Sequence, residues 1–158
     1  MIRKMTENDV GMVLLWRNNP DIRKHMYTQH IIGKEEHNKW FKKMSNDPSI
    51  NLLIFEKDHK PMGFVQINAK IPSYTSWGFY LAPESPKGTG AQLGANALEY
   101  AFKNLKIERI YGEVIKSNTQ SIAFHKKLGF ELDDQYDDVY IFRLNIVDWK
   151  DITINKNS

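Results

Sequence analysis

Cysteine is absent from all 158 residues. That excludes disulfides, a thiolate-held metal and a cysteine nucleophile. It fits a reducing compartment, and a cytoplasmic protein is expected. No stretch approaches the ~20 apolar residues of a membrane span. Residues 1–5, Met-Ile-Arg-Lys-Met, lack the apolar segment of a secretory leader, so no membrane partner is expected. An excess of one charge is missing too: 22 Lys and Arg oppose 19 Asp and Glu, a formal +3. This is too little to mark a nucleic-acid binder, though it suits a small polyanion. There is no repeat, low-complexity tract or linker. One domain over 1–150 is expected, followed by a polar tail at 151–158.

What is present is ordinary in amount, with 41% hydrophobic and 26% charged residues. The informative part is its arrangement. Ile2–Met5 reads as a short strand, and Thr6 with Asp9 offers a cap for a helix through Trp16. The Asn18-Asn-Pro-Asp21 run ends that helix. His37, Trp40, Phe41 and Met44 follow at helical spacing from Lys34 onward. Asn51–Glu56 and Met62–Asn68 read as strands joined by a turn at 58–61, and Trp77–Ala82 as the next strand. A helix carrying Leu93, Ala97, Leu98, Ala101 and Phe102 comes after a glycine loop. Ile110–Ile115 is then a strand, Thr119–Leu128 a helix, and Phe130–Leu144 a hairpin. This order predicts the α/β class in its α+β form, with a mixed sheet. The Asp133-Asp134 and Asp137-Asp138 pairs read as an acidic hairpin turn, and no metal site is expected.

The loop Lys87-Gly-Thr-Gly-Ala-Gln-Leu-Gly94 holds most of the chemistry. A diphosphate needs several backbone N–H groups converging on it with bulky side chains kept away. Gly88 and Gly90 permit that approach, and the following helix adds its free N-terminal N–H groups. A purely structural turn is the competing reading. The Walker A spacing is absent, and a dinucleotide fingerprint would need glycine where Leu93 stands.

Thirty residues on lies Asn118-Thr-Gln-Ser-Ile-Ala-Phe-His-Lys-Lys-Leu-Gly-Phe130. Together, the two segments resemble the acetyl-coenzyme A site of the GCN5-related N-acetyltransferases (GNAT). That family carries Arg/Gln-x-x-Gly-x-Gly/Ala, then Asn-x-x-Ala-x-x-Leu-Tyr-x-Lys-x-Gly-Phe. Asn118, Ser121, Phe124, Lys127, Gly129 and Phe130 fall at the second pattern's positions. The first departs at Lys87 and Gln92, and the loop after Pro83 is one residue longer. The resemblance implies a mostly antiparallel sheet flanked by helices, with a V-shaped opening between two parallel central strands. It also implies acetyl-coenzyme A as co-substrate. Backbone groups of Phe79 and Leu81 would meet the pantetheine, amides of Lys87, Gly88, Thr89, Gly90 and Ala91 the pyrophosphate, and Asn118 the coenzyme. Asn118 also reads as a plain helix cap.

Without cysteine, direct attack in a ternary complex is favoured over an enzyme thioester. His125 stands where the family commonly has its tyrosine acid, and is the candidate general acid; packing beside Phe124 and Leu128 is its alternative. Gln66 and Glu113 are candidates for positioning water or the amine. The N-terminal third resembles nucleotide-amino-sugar acetyltransferases of pseudaminic acid synthesis, whose product feeds flagellin glycosylation. Those enzymes acetylate the 4-amino group of UDP-4-amino-4,6-dideoxy-N-acetyl-β-L-altrosamine. By that resemblance Arg17 and His37 would flank the nucleotide, and Met26, Tyr27 and Trp40 would line a pocket for the 6-methyl group. Acetylation of a peptide or ribosomal-protein N-terminus is the rival, and a non-catalytic coenzyme-binding protein the third reading. Relatives are often homodimers, though no segment identifies an interface.

Overall fold

A computed structural model describes residues 1–150; the expected tail at 151–158 lies outside the described residues. Seven strands form one sheet in the order β1-β2-β3-β4-β5-β7-β6. They are β1 (Ile2–Lys4), β2 (Ile50–Lys57), β3 (Lys60–Ile71), β4 (Tyr74–Leu81), β5 (Arg109–Ile115), β6 (Glu131–Tyr136) and β7 (Val139–Asn145). The helices are α1 (Val10–Arg17), α2 (Pro20–Arg23), α3 (Lys34–Ser45), α4 (Thr89–Glu99) and α5 (Thr119–Lys127). All pairings are antiparallel except β4–β5.

The cap that the sequence predicts at Thr6 and Asp9 forms on a 3-10 turn, Glu7–Asp9, which runs directly into α1 at Val10. Thr6 N–H donates to Asp9 Oδ2 (2.8 Å), and Arg3 grips Asp9 through two 2.8 Å bonds while its Nε meets Glu56 at 3.0 Å. Asp9 is thereby held ionised, its pKa lowered first by the bond from Arg3. The turn between β2 and β3 uses Asp58 and His59, both at positive φ, which suits the twist of a two-residue hairpin. One feature has no counterpart in the sequence pattern. After α4 the chain widens into a π-helical turn at Tyr100–Asn104, where Leu105 N–H reaches back to Tyr100 O at 3.1 Å.

Two cores form on opposite sheet faces. Val65, Ile67, Trp77, Ile110 and Val114 pack beneath α4 and α5. Leu52, Ile54 and Phe64 pack against Val13 and Trp16 of α1 and Trp40, Phe41 and Met44 of α3. Because side chains alternate along a strand, Gln66 and Asn68 of β3, Ser76 and Tyr80 of β4, and Glu113 of β5 share the α1–α3 face. No helix among the described residues is long and apolar enough to cross a membrane.

Candidate active site

The parallel pairing of β4 with β5 lasts only through Ser76↔Tyr111 and Trp77↔Gly112. Beyond it the strands separate and a cavity of about 1170 Å³ opens between them. Ala82 N–H donates to Met62 O on β3 (2.8 Å). By alternation, Phe79 and Leu81 turn their N–H and C=O groups toward the opposite edge, into the gap. An extended amide-bearing chain can pair there as β5 would have done.

Next to this edge lies the start of α4. Its N-cap, Gly88, sits at φ +92°, a conformation that glycine adopts without penalty. No side chain caps the helix, so its first N–H groups remain for a ligand. Thr89 is the exception among the expected amides. Its N–H and hydroxyl both donate to Pro86 O, at 3.1 and 2.6 Å, so its role is to shape the loop. Gly94 has a packing reason instead: a Cβ there would come within 2.9 Å of Phe124 Cζ and 3.0 Å of Leu128 Cδ1. Asn118 Oδ1 accepts from Ser121 N–H at 3.1 Å, which leaves its amide Nδ2 for the cavity that it lines. The cap role therefore does not use up the side chain. A free strand edge, an uncapped helix start and open space at Gly88 fit an extended thioester that ends in phosphates.

The general-acid role expected of His125 does not fit its placement. His125 is 3% exposed. Its Nδ1–H donates to Ser121 O (2.8 Å), and its Nε2 accepts from Trp77 Nε1 (3.1 Å). Burial pushes its pKa down to about 4. A neutral imidazole with both nitrogens engaged has no proton to hand on near neutral pH. Gly112 makes room for it, because a Cβ there would lie 2.4 Å from His125 Nε2. His125 thus fastens α5 to β4 at the point where the strands part.

On the α1–α3 side, Gln66, Glu113, Arg17, His37, Met26, Tyr27 and Trp40 all line the cavity, together with Asn68, Ser76 and Tyr80. Tyr27 and Tyr136 both donate to Glu113 Oε1, at 3.4 and 2.9 Å. Burial, then the neighbouring Glu113 charge, pushes the Tyr27 hydroxyl up to about 12. The bond to Glu113 raises Tyr136 as well. Both phenols accordingly stay neutral donors.

His37 is less available than the sequence suggests. Its Nε2 bonds Val10 O of α1 (3.0 Å), and its ring stacks on Trp40 with centroids 5.0 Å apart. Burial, the largest cause, lowers its pKa. Arg23 is also occupied, donating to Asn18 O and Gln29 O. Arg17 differs. One of its terminal nitrogens, Nη2, donates to Thr28 O at 2.5 Å, while the other, Nη1, is buried without a partner. Sequence reasoning missed His25, also in the cavity wall, whose Nδ1 is buried and unpartnered. Neither helical spacing nor a motif singles it out.

Of the acidic residues expected in a hairpin turn, Asp137 and Asp138 form it, whereas Asp133 and Asp134 lie on β6, where Asp133 pairs with Arg143 of β7. Among the described residues no group of three or more His, Asp or Glu is placed to hold a metal ion. A second depression, about 420 Å³, lies on the outer side of α3 and gathers only surface residues such as Lys34 and Lys39.

Comparison with known proteins gives the same picture. The family model described as an acetyltransferase (GNAT) domain matches residues 1–131. The acetyltransferase PseH of Campylobacter jejuni subsp. jejuni serotype O:23/36 is 28% identical over 147 residues, 93% of this chain and 92% of that protein. Among solved structures, Vibrio cholerae spermidine N-acetyltransferase in complex with CoA and spermine superposes with a TM-score of 0.85 at 20% identity. It covers 95% of this chain and 97% of that one. Campylobacter jejuni PseH in complex with acetyl coenzyme A gives 0.73 at 22% identity, over 92% and 99% of the two chains. At those identities the structural matches establish a shared fold.

Proposed function

The chain belongs to the GNAT acetyltransferase family, and from that premise we propose that it acetylates the 4-amino group of a UDP-4-amino-4,6-dideoxy-N-acetyl-hexosamine of the β-L-altrosamine type, as a step of pseudaminic acid synthesis. That it is an acyltransferase using acetyl-coenzyme A follows from the family itself. The proposal concerns the acceptor and the roles of individual residues.

When bound, acetyl-coenzyme A supplies the acetyl group as a thioester carbonyl open to attack. In this reading, the free edge at Phe79 and Leu81 holds and orients the pantetheine. The amides of Lys87, Gly88, Gly90 and Ala91 hold the pyrophosphate, and Asn118 Nδ2 adds a further donor. The amine's attack forms the C–N bond and breaks the C–S bond. Glu113 Oε2 takes the amine's proton, directly or through water, with Tyr27 and Tyr136 keeping the carboxylate oriented, and coenzyme A would leave as the thiolate and take its proton from water. Gln66 positions the amine or that water from the same sheet face. His125 is a positioning residue, since it holds Trp77 and α5 in register at the mouth of the gap. Met26, Tyr27 and Trp40 offer an apolar wall for the deoxysugar's methyl group, and His37 supports Trp40 from behind.

The acceptor rests chiefly on one observation: Arg17 of α1 brings a cationic side chain to the wall of the acceptor half of the cavity. A guanidinium in that position suits an anionic or carbonyl-rich acceptor and disfavours a polycation such as spermidine. The resemblance to PseH supports the same choice. Mass spectrometry tests it by incubating the chain and acetyl-coenzyme A with the UDP-4-amino sugar, spermidine and a panel of N-terminal peptides. The expected result is one added acetyl group on the nucleotide sugar. Rapid acetylation of peptide or polyamine with an inert sugar would overturn the choice of acceptor, and coenzyme binding with no turnover on any amine would favour a non-catalytic protein.

A further inference from the structure

Among the described residues, three glycines lie inside strands. Gly63 and Gly112 have a reason in the fold, because a Cβ would come within 2.4 Å of Leu93 Cδ1 at the first and within 2.4 Å of His125 Nε2 at the second. Gly78 of β4 has none. A Cβ there would meet nothing within 4 Å, and positive φ among the described glycines is confined to Gly88 and Gly129. Glycine inside a strand costs stability and adds no packing, and such a position commonly marks the close approach of a ligand to the main chain. Gly78 is exposed, and it lines the cavity.

Its neighbours show what could approach. Gly78 pairs directly with Gln66 of β3, so the two share the α1–α3 face. On its other side it stands one residue past the last β4–β5 pair, Trp77↔Gly112, level with Glu113 of β5. Gln66 and Glu113 thus flank a strip of bare main chain at the point where the gap begins. The same strand sets the direction of the coenzyme. The glycine loop follows Leu81 in the chain, so a coenzyme with its pyrophosphate at α4 runs back along the β4 edge from Leu81 to Phe79. Its acyl end then reaches the closed end of the gap, beside Gly78.

We propose that Gly78 is the seat of the reacting amine. The missing side chain lets the carbon that carries the amine settle onto the β4 main chain, between Gln66 and Glu113 and against the acetyl group. This rests on the roles given above to Gln66 and Glu113. A methyl group at 78 would stand in that space without touching the protein, and would hold the amine away from the acetyl carbon. A misplacement of about 1 Å at a reacting centre can cost about 100-fold in rate.

Steady-state kinetics, calorimetric titration of coenzyme A and thermal unfolding of the native chain, Gly78→Ala, Gly78→Val and Gly11→Ala test the seat. Gly11, on the exposed side of α1, is the control, since a Cβ there also meets nothing within 4 Å and the residue lies outside the cavity wall. In Gly78→Ala, kcat/KM for the amine should fall at least about tenfold, and further in Gly78→Val. Coenzyme A affinity should stay native, Gly78→Ala should melt no lower than the native chain, and Gly11→Ala should keep native kinetics. Native kcat/KM for the amine in Gly78→Ala overturns the seat. A lower melting temperature in Gly78→Ala also overturns it, because the glycine would then serve the fold. So does an equal loss of coenzyme A affinity. Glu113→Gln with native kcat overturns the role given to Glu113, and Gly78→Ala then decides the seat alone. If the nucleotide sugar is inert and a peptide or polyamine is acetylated, the acceptor reading fails and the same comparison with that amine decides the seat. A native chain that acetylates no amine overturns both.

Discussion

The two ends of the cavity recognise in different ways. At the coenzyme end the groups that face the opening are mostly main chain, namely the edge of β4 at Phe79 and Leu81 and the uncapped start of α4 after Gly88. At the acceptor end they are side chains, brought by α1, the segment that follows it, α3, β3 and β5. Main-chain recognition needs little from residue identity beyond glycine at the turn and a strand that loses its neighbour. Side-chain recognition depends on which nitrogen or oxygen is left over once packing has claimed the rest. The difference explains why one end is written as a compact motif and the other is scattered over a hundred residues.

Predictions that probe this contrast begin at His125, where the two ends meet. Its pKa in the folded chain, about 4, lies below the ordinary histidine value of 6.5. The unfolded chain therefore takes up a proton between pH 6.5 and 4 that the folded chain refuses. The stability from burying the neutral ring is fully present above pH 6.5 and falls by about 3 kcal/mol as pH drops to 4. Urea unfolding at pH 7 and pH 4.5 should show a steeper acid loss in the native chain than in His125→Phe. A gap between the two that does not change with pH would break the assignment. The same neutral ring predicts a kcat profile without a limb from His125 between pH 6 and 8.

Next in size is Glu113→Gln. It should lower kcat about 100-fold while the KM for acetyl-coenzyme A stays put, because the change lies on the acceptor face of the sheet. Steady-state kinetics with each substrate varied in turn checks this, and equal damage to both KM values would erase the division between the ends. The smallest effect is expected at Gly88. Alanine at φ +92° costs about 1–2 kcal/mol in strain. Gly88→Ala should weaken coenzyme binding several-fold and leave the acceptor KM unchanged, as kinetics and thermal unfolding of the same protein would show.

Much of the fold was legible in the sequence. Thr6 and Asp9 mark the 3-10 turn that leads into α1, the 3.6-residue spacing of His37, Trp40 and Met44 marks α3, and alternation marks the strands, because these signals act within a few residues. The π-helical turn at 100–104 carried no such signal. The glycine loop forms the expected strand-to-helix turn, and Asn118 the expected helix start. The family pattern from Asn118 to Phe130 presents His125 as an acid, and the resemblance of the N-terminal third presents His37 as a nucleotide contact. The structure turns both inward, onto Trp77 and Ser121 in one case and Val10 and Trp40 in the other.

By itself, then, the sequence determined the order of elements, the glycine turn at 88 and the family pattern from Asn118 to Phe130, all set by local backbone preference and short spacing. The tertiary structure decided which polar atoms remain unpaired. It buried His125 and His37 against partners distant in sequence, joined Tyr27 and Tyr136 on Glu113, and left Arg17 Nη1 and His25 Nδ1 without partners. The physical reason is that a polar group's availability depends on every neighbour it meets after folding, and those neighbours come from the whole chain.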